Sequence, residues 1–398
     1  MESNNQDRLI KKIESKIKSK TNEMMKLKSL LISMMLLIAV GFSIASCSSD
    51  DNNDLFNDKD STVELPTHRA YILNEGAFGK NDANISLYAP QDGTSIPTLY
   101  KKQNGQNLGD VAQDIIYANK SIFVVLNGSK KLIKMNTALV EEAAVTIEGS
   151  PRYMTYLDGK IYLTVWGKGI QKYDAKTLTL EETLDTNYAS PEDIVVIDDM
   201  LYICNSTTYG STASENTVTV VDPATFQITK TIEIWANPQR MLEMDGDLYI
   251  ASNGNYGSIA GEEYLPYQVQ RVHISDGSYT IDNLGEYSKM VANEDDDLLY
   301  LANSVTDWST YATTTTFSEY DPETKTVSDS SFLTDAPEVL NTTSIYNMTV
   351  NQSNGDIYIC TSDFVTNGEI YRFDYTGKYL NEFDAMGINP SHLLFIDK

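Results

Sequence analysis

Asp245-Gly246-Asp247-Leu248-Tyr249-Ile250 is a tight turn followed by an apolar-aromatic-apolar triplet. The triplet recurs along the chain as Ala70-Tyr71-Ile72, Ile122-Phe123-Val124, Ile161-Tyr162-Leu163, Leu201-Tyr202-Ile203, Leu248-Tyr249-Ile250, Leu299-Tyr300-Leu301 and Ile357-Tyr358-Ile359. Turn residues of the Asp, Gly and Asn type precede every copy after the first. The seven aromatic anchors are spaced 52, 39, 40, 47, 51 and 58 residues apart. Repeats of roughly 40 to 50 residues that each hold several short strands are the signature of propeller blades. Seven anchors therefore predict an all-β, seven-bladed propeller of four-stranded antiparallel blades.

One repeat shows how a blade is built. Around Tyr249, residues 240–243 read as the innermost strand and 248–251 as the second. After a long loop, residues 268–274 form a third strand, and the turn at Asp276-Gly277 leads into a fourth at 279–281. The preceding repeat gives the outer hairpin: 217–221 alternates, Asp222-Pro223-Ala224-Thr225 turns, and 228–234 alternates back. Period-two patterning bounded by such turns is hairpin chemistry. Helical periodicity is nearly absent after residue 60; a short turn is expected only at Asp110 to Gln113. At the chain end, Asn389-Pro390-Ser391-His392-Leu393 repeats the innermost-strand pattern of Asn237-Pro238-Gln239-Arg240-Met241. No second strand follows it, and Tyr71 has no innermost strand before it. The C-terminal strand is thus expected to complete blade one, which removes two free sheet edges.

The first residues carry a different message. Seven lysines between Lys11 and Lys28 precede an apolar run from Leu30 to Ala45, which ends at Ile44-Ala45-Ser46-Cys47. A basic start, a short apolar core and small residues before a cleavage point form an export signal. The run is shorter than the roughly 20 residues of a membrane-spanning helix. Cys47 at the cleavage point makes residues 1–46 resemble a bacterial lipoprotein signal, with Cys47 lipidated; an ordinary signal with a chance cysteine is the alternative. Met25 followed by Lys26 and Lys28 would open a more usual signal, so Met24 or Met25 is an alternative reading of the true start. Residues 47–66 begin Cys47-Ser48-Ser49-Asp50-Asp51-Asn52-Asn53-Asp54, which cannot bury apolar surface and is read as a disordered acidic tether. The propeller is then expected over 67–398.

The chain has 398 residues and a formal charge of −26, which becomes −30 once residues 1–46 are removed. Nucleic acid is disfavoured as a partner, because phosphates require a basic footprint. Cys204 and Cys360 each lie two residues after an anchor Tyr, in blades four and seven. They read as small core fillers in blades that are not neighbours, so no disulfide is expected.

In a propeller, loops that enter the innermost strand and loops that join strands two and three open on one face. The long loops here are 74–84, 205–216, 253–267, 303–316 and 361–368. They carry Phe78, Tyr209, Tyr256, Tyr264, Tyr267, Trp308, Tyr311 and Phe364, and Trp166, Tyr188 and Trp235 join them. Aromatics interleaved with Asn, Ser and Thr combine flat contact area with adaptable hydrogen bonding, as in binding paratopes. Aligning the inner strands on their anchors gives one ring at the channel mouth: Asp114, Tyr153, Asp193, Arg240, Lys289, Asn347 and His392. Arg152 and Glu192 lie beside it. The ring is read either as solvated channel lining or as hydrogen-bonding groups for a polar ligand.

Catalytic signals are weak. The three histidines, His68, His273 and His392, fall on different elements, so no metal-binding pair is visible. Neither a nucleophile motif nor a phosphate-cradling glycine loop occurs. Asp295-Asp296-Asp297 lacks calcium-loop spacing. A channel cation held by Asp114, Asp193 and Asn347, as in propeller lactonases, remains an enzymatic alternative, against which Arg240 and Lys289 in the same ring argue. The expectation is a non-enzymatic binding protein with no resident cofactor.

Asn216-Thr217-Val218-Thr219-Val220-Val221-Asp222-Pro223-Ala224-Thr225 resembles YVTN-repeat propellers of the YncE-like type. Ala70-Tyr71-Ile72-Leu73-Asn74-Glu75-Gly76-Ala77-Phe78-Gly79, Ile85-Ser86-Leu87-Tyr88 and Asn107-Leu108-Gly109-Asp110-Val111-Ala112-Gln113-Asp114-Ile115 resemble the opening of Bacteroidetes surface-lipoprotein propellers of the DUF5074 group. The resemblance spans essentially the whole chain after the signal. It implies a lipid-anchored protein at the outer-membrane surface. The group includes a lipoprotein that captures cobalamin for a TonB-dependent outer-membrane transporter, so the resemblance implies cobalamin or another corrinoid as ligand and such a transporter as partner. The loop and mouth residues expected to hold it are Phe78, Asp114, Arg152, Tyr153, Trp166, Asp193, Tyr209, Trp235, Arg240, Tyr256, Trp308, Asn347, Phe364 and His392. A propeller that binds protein or glycan through the same face is the alternative.

Overall fold

The computed structural model describes residues 56–255, 262–275, 277–294, 297–307 and 309–397. Residues 1–55, which hold the expected signal and Cys47, lie outside the described residues, as do Tyr256 and Trp308. Among the described residues the strands form seven four-stranded antiparallel sheets. The inner strands are Ala112–Ala118, Ser150–Leu157, Pro191–Ile197, Pro238–Met244, Lys289–Asn293, Ile345–Val350 and Pro390–Asp397. Each contacts the next inner strand, and the last returns to the first, so the blades close a ring.

The anchors explain why the ring is stable. Every anchor lies on the second strand of its blade and is buried. Anchor and flanking residues face opposite neighbours: Tyr71 packs with Ile115, Ile122 and Val124 of blade two, and Ile72 with Tyr358, Cys360 and Ile370 of blade seven. Full burial of one such side chain contributes about 1.5–3 kcal/mol. Cys204 and Cys360 are buried and unbridged in two of these interblade layers.

Blade one closes as expected. His68–Asn74 pairs with Pro390–Asp397 in antiparallel register, Tyr71 opposite Leu394. The Asn74 side chain donates to Ala385 O at 3.0 Å, and the Glu75 N–H donates to Asn389 O at 2.9 Å.

Two readings need correction. The expected turn at 110–113 is instead the approach to an inner strand. The short helix lies at Leu99–Asn104, where Leu99, Tyr100 and Gln103 are buried. It packs on the third strand of blade one, whose own fourth strand is only Ser95–Ile96. The other concerns the tether. Residues 56–66 are packed, not free: Phe56 is buried, the Asn57 N–H donates to Thr137 Oγ1 at 2.7 Å, and Asp58 pairs with buried Arg69. The folded body therefore includes this strap.

Candidate functional site

Six of the seven inner strands carry an irregularity at the mouth end of the channel. Their pairing to the second strand shifts register between Ala112 and Asp114, Pro151 and Met154, Pro191 and Ile194, Pro238 and Arg240, Ile345 and Asn347, and Pro390 and His392. A bulge sets an extra residue against its partner strand and re-aims the side chain. The residues inside these bulges are Gln113, Arg152, Tyr153, Glu192, Asp193, Gln239, Tyr346 and Ser391. All but Asp193 line one cavity of about 470 Å³, together with Glu75, Arg240, Lys289, Asn347 and His392. Glu75 reaches it because Gly76 turns the chain at φ 78°; a Cβ there would sit 2.6 Å from the Ala83 nitrogen.

Expected residues divide into three groups. Arg152, Tyr153, Arg240, Lys289, Asn347 and His392 meet in the cavity. Trp166 and Phe364 reach it through a neighbour: the Arg152 guanidinium lies 4.4 Å from the Trp166 ring centre, and Phe364 packs edge-on to Tyr346 at 5.8 Å. Phe78 and Tyr209 are exposed and stand away from the cavity lining. Trp235 is held elsewhere, with its Nε1 donating to Pro266 O at 2.9 Å beside Ser214 and Glu262. Glu75, Gln113, Gln239, Tyr346 and Ser391 were missed. The signal for two of them was present as Pro followed by two polar residues, in Pro238-Gln239-Arg240 and Pro390-Ser391-His392; such a pair breaks strand alternation.

Asp114 and Asp193 are not lining groups. Both carboxylates are buried staples between blades. Asp114 Oδ1 accepts the Ile115 N–H at 2.8 Å and Oδ2 the Met154 N–H of the next blade at 2.9 Å. Asp193 accepts Ile194 N–H at 2.9 Å and Met241 N–H at 2.8 Å in the same way. With their oxygens so committed, they are poor cation ligands. Among the described residues no group of three or more His, Cys, Asp or Glu side chains is placed to hold a metal.

The cavity's charges are mostly matched. Arg152 forks onto Glu192, donating Nε at 3.0 Å, and also donates Nη1 to Gln113 at 2.6 Å. Trp166 Nε1 donates to the same Glu192 at 2.9 Å. Arg240 lies over the Tyr153 ring at 4.2 Å and pairs through Nε with Asp193 at 3.3 Å. The Tyr346 hydroxyl donates to Glu75, whose pKa is raised by burial. Burial and then Arg240 push Lys289 down to about 8. Burial likewise pushes Asp114 up to about 6.

His392 is held neutral: burial, with Arg240 adding to it, lowers its pKa to about 3. Its Nε2 lies 3.5 Å from Asp114 Oδ1, but a neutral ring makes this a polar contact and not an ion pair. A depressed pKa contributes stability above the unfolded value near 6.5 and loses it as pH falls towards 3. Asp114, with a raised pKa, works the other way: its contribution is full below about 3.8 and fades as pH rises through about 6. The two oppose each other in the same window. His392→Asn should therefore lose less stability on acidification than the wild type. The gap in urea-unfolding free energy between the proteins should change in the variant's favour by about 2–3 kcal/mol from neutral pH to about pH 4. A gap independent of pH would show that His392 protonates freely in the fold.

The family model described as "Domain of unknown function (DUF5074)" matches residues 69–395. The chain belongs to the DUF5074 family. Among curated proteins, none matches it. Solved structures resemble this DUF5074 propeller at low identity. A quinoprotein alcohol dehydrogenase-like protein from Bacteroides thetaiotaomicron is 15% identical, covering 83% of this chain and 79% of its own at a TM-score of 0.61. Hydrazine synthase from Kuenenia stuttgartiensis is 13% identical, covering 64% of this chain and 74% of its own at 0.51. The computationally designed Ika8 protein is 12% identical, covering 83% and 92% at 0.50. At such identities the likeness concerns the fold alone, and propellers host unrelated functions.

Proposed function

We propose that this DUF5074 propeller is a lipid-anchored, outer-membrane surface protein that captures a corrinoid such as cobalamin and passes it to a TonB-dependent transporter. It binds its ligand without transforming it. The supporting observation is the composition of the mouth cavity. Amide and hydroxyl groups of Gln113, Gln239, Asn347 and Ser391 converge there with the ring of Tyr153, while Trp166 and Phe364 stand beside it. A bulky ligand edged with amides is matched by that mixture of flat apolar faces and short polar side chains. The family resemblance supports the ligand class and the anchored location.

Exposed Phe78, Tyr209 and Tyr311 favour a second reading, because they are spread over loops outside the cavity. Such a spread suits a protein or glycan partner.

Calorimetric titration with cyanocobalamin and cobinamide decides between them. One-to-one binding is expected, weakened about fivefold to thirtyfold by Phe364→Ala, a loss of about 1–2 kcal/mol. No heat from either corrinoid, with an unchanged melting temperature, would sink the corrinoid reading and leave the protein- or glycan-binding one.

A further inference from the structure

We propose that the ligand of the channel mouth presents one anionic oxygen group, a carboxylate or a phosphate, and that Lys289 receives it. The inference rests on the mouth being the binding site, but not on the ligand being a corrinoid.

Three cations border the cavity, and two already have carboxylate partners: Arg152 with Glu192 and Arg240 with Asp193. Lys289 makes no hydrogen bond or ion pair with a described residue; its Nζ lies 5.9 Å from the centre of the Tyr346 ring. A half-buried ammonium at the wall of a cavity is less favourable without a partner than with one.

The groups that face it do not answer the need. Glu75, from the loop after the second strand of blade one, accepts the Tyr346 hydroxyl, and burial disfavours its charged form. Glu192 is occupied by Arg152 and Trp166. Arg240, on the neighbouring inner strand of blade five, adds repulsion, and His392 is neutral. A carbonyl oxygen would satisfy N–H donors while leaving the charge uncompensated. A single anionic group does both. The chain's charge of −26 limits this to one group on an otherwise uncharged molecule, since a polyanion would be repelled at long range.

Burial and Arg240 place the Lys289 pKa at about 8, so the cation and its hold on an anion should fade above that pH. Reductive methylation of the purified protein, mapped to Lys289 by peptide mass spectrometry between about pH 6 and about pH 10, reads this directly. Inorganic phosphate or acetate is expected to slow Lys289 labelling about fivefold and move its midpoint to higher pH, because a bound anion favours the charged amine. Whichever anion protects names the group, and acetamide should do nothing. Labelling that ignores both anions overturns the inference.

Lys289→Met, which changes only a cavity side chain, supplies the second arm. If cyanocobalamin binds the wild type, the variant should hold it, with its phosphate, about tenfold more weakly and cobinamide, which lacks the phosphate, equally well; measurable cyanocobalamin binding that is equal in wild type and variant also overturns it. Anion protection without corrinoid binding would support Lys289 as an anion receptor while removing the corrinoid reading.

Discussion

Asp193→Ala is expected to lower the unfolding free energy by about 2–4 kcal/mol, chiefly because two amide donors lose a buried acceptor. Three contacts fail together. The Met241 N–H of blade five loses its acceptor, the Ile194 N–H loses its own, and Arg240 is left without its carboxylate. A buried donor left unmade costs about 1–3 kcal/mol by itself. Because the carboxylate links blade four to blade five, the loss should fall on the interface and not on one hairpin. Asp193→Asn keeps an acceptor while removing the charge and should cost clearly less. Denaturant unfolding of the two variants tests the account. A loss below about 1 kcal/mol for the alanine variant would mean that water replaces the staple without penalty.

A comparable loss, about 3–5 kcal/mol, is expected from Arg69→Ala. Arg69 is 1% exposed. Its guanidinium donates to Asp58 Oδ2 at 3.0 Å, Pro66 O at 3.1 Å and Thr137 O at 3.0 Å, and lies 4.8 Å from the ring centre of Phe56. It thus fastens the strap 56–66 to the turn that joins the third and fourth strands of blade two. The variant removes the cation from Asp58 and from the face of Phe56, so limited proteolysis should cut within 56–66 before the propeller is attacked. A strap that stays protected in the variant would show that Thr137, Asn136 and Gln103, which also bond it, are sufficient.

How much of this was readable depends on the range of the interaction involved. The seven anchors were legible because one rule, an aromatic flanked by apolar residues after a turn, recurs wherever a second strand is buried on both faces. The closure of blade one was legible as well, since Asn389-Pro390-Ser391-His392 copies an inner strand that lacks a sequel. The bulges were not, because strict alternation assigns one residue to each rung of a ladder. Asp114 and Asp193 were misplaced for a related reason: a polar residue in a channel-facing row reads as lining when its acceptors lie on the next blade. Yet Asp114-Ile115 and Asp193-Ile194 share a dipeptide, and both carboxylates cap the following amide. The strap escaped notice because its Asp and Asn residues look like a solvated linker. Buried Arg69, just ahead of the Ala70-Tyr71-Ile72 triplet, together with Thr137, Asn136 and Gln103, makes them structural.

The pairing of His68–Asn74 with Pro390–Asp397 also sets the order of events in folding. Its contacts join positions more than three hundred residues apart, with Ser391 Oγ donating to Leu73 O across a sequence separation of 318. Blades two to seven can each form from neighbouring hairpins, but the first has no inner strand until the last residues of the chain exist. Ring closure is consequently the final, least local step, with an entropic cost that grows only logarithmically with the loop it closes. A chain emerging in order from a ribosome or a translocation pore remains an open arc, with two sheet edges bare, until its last strand arrives.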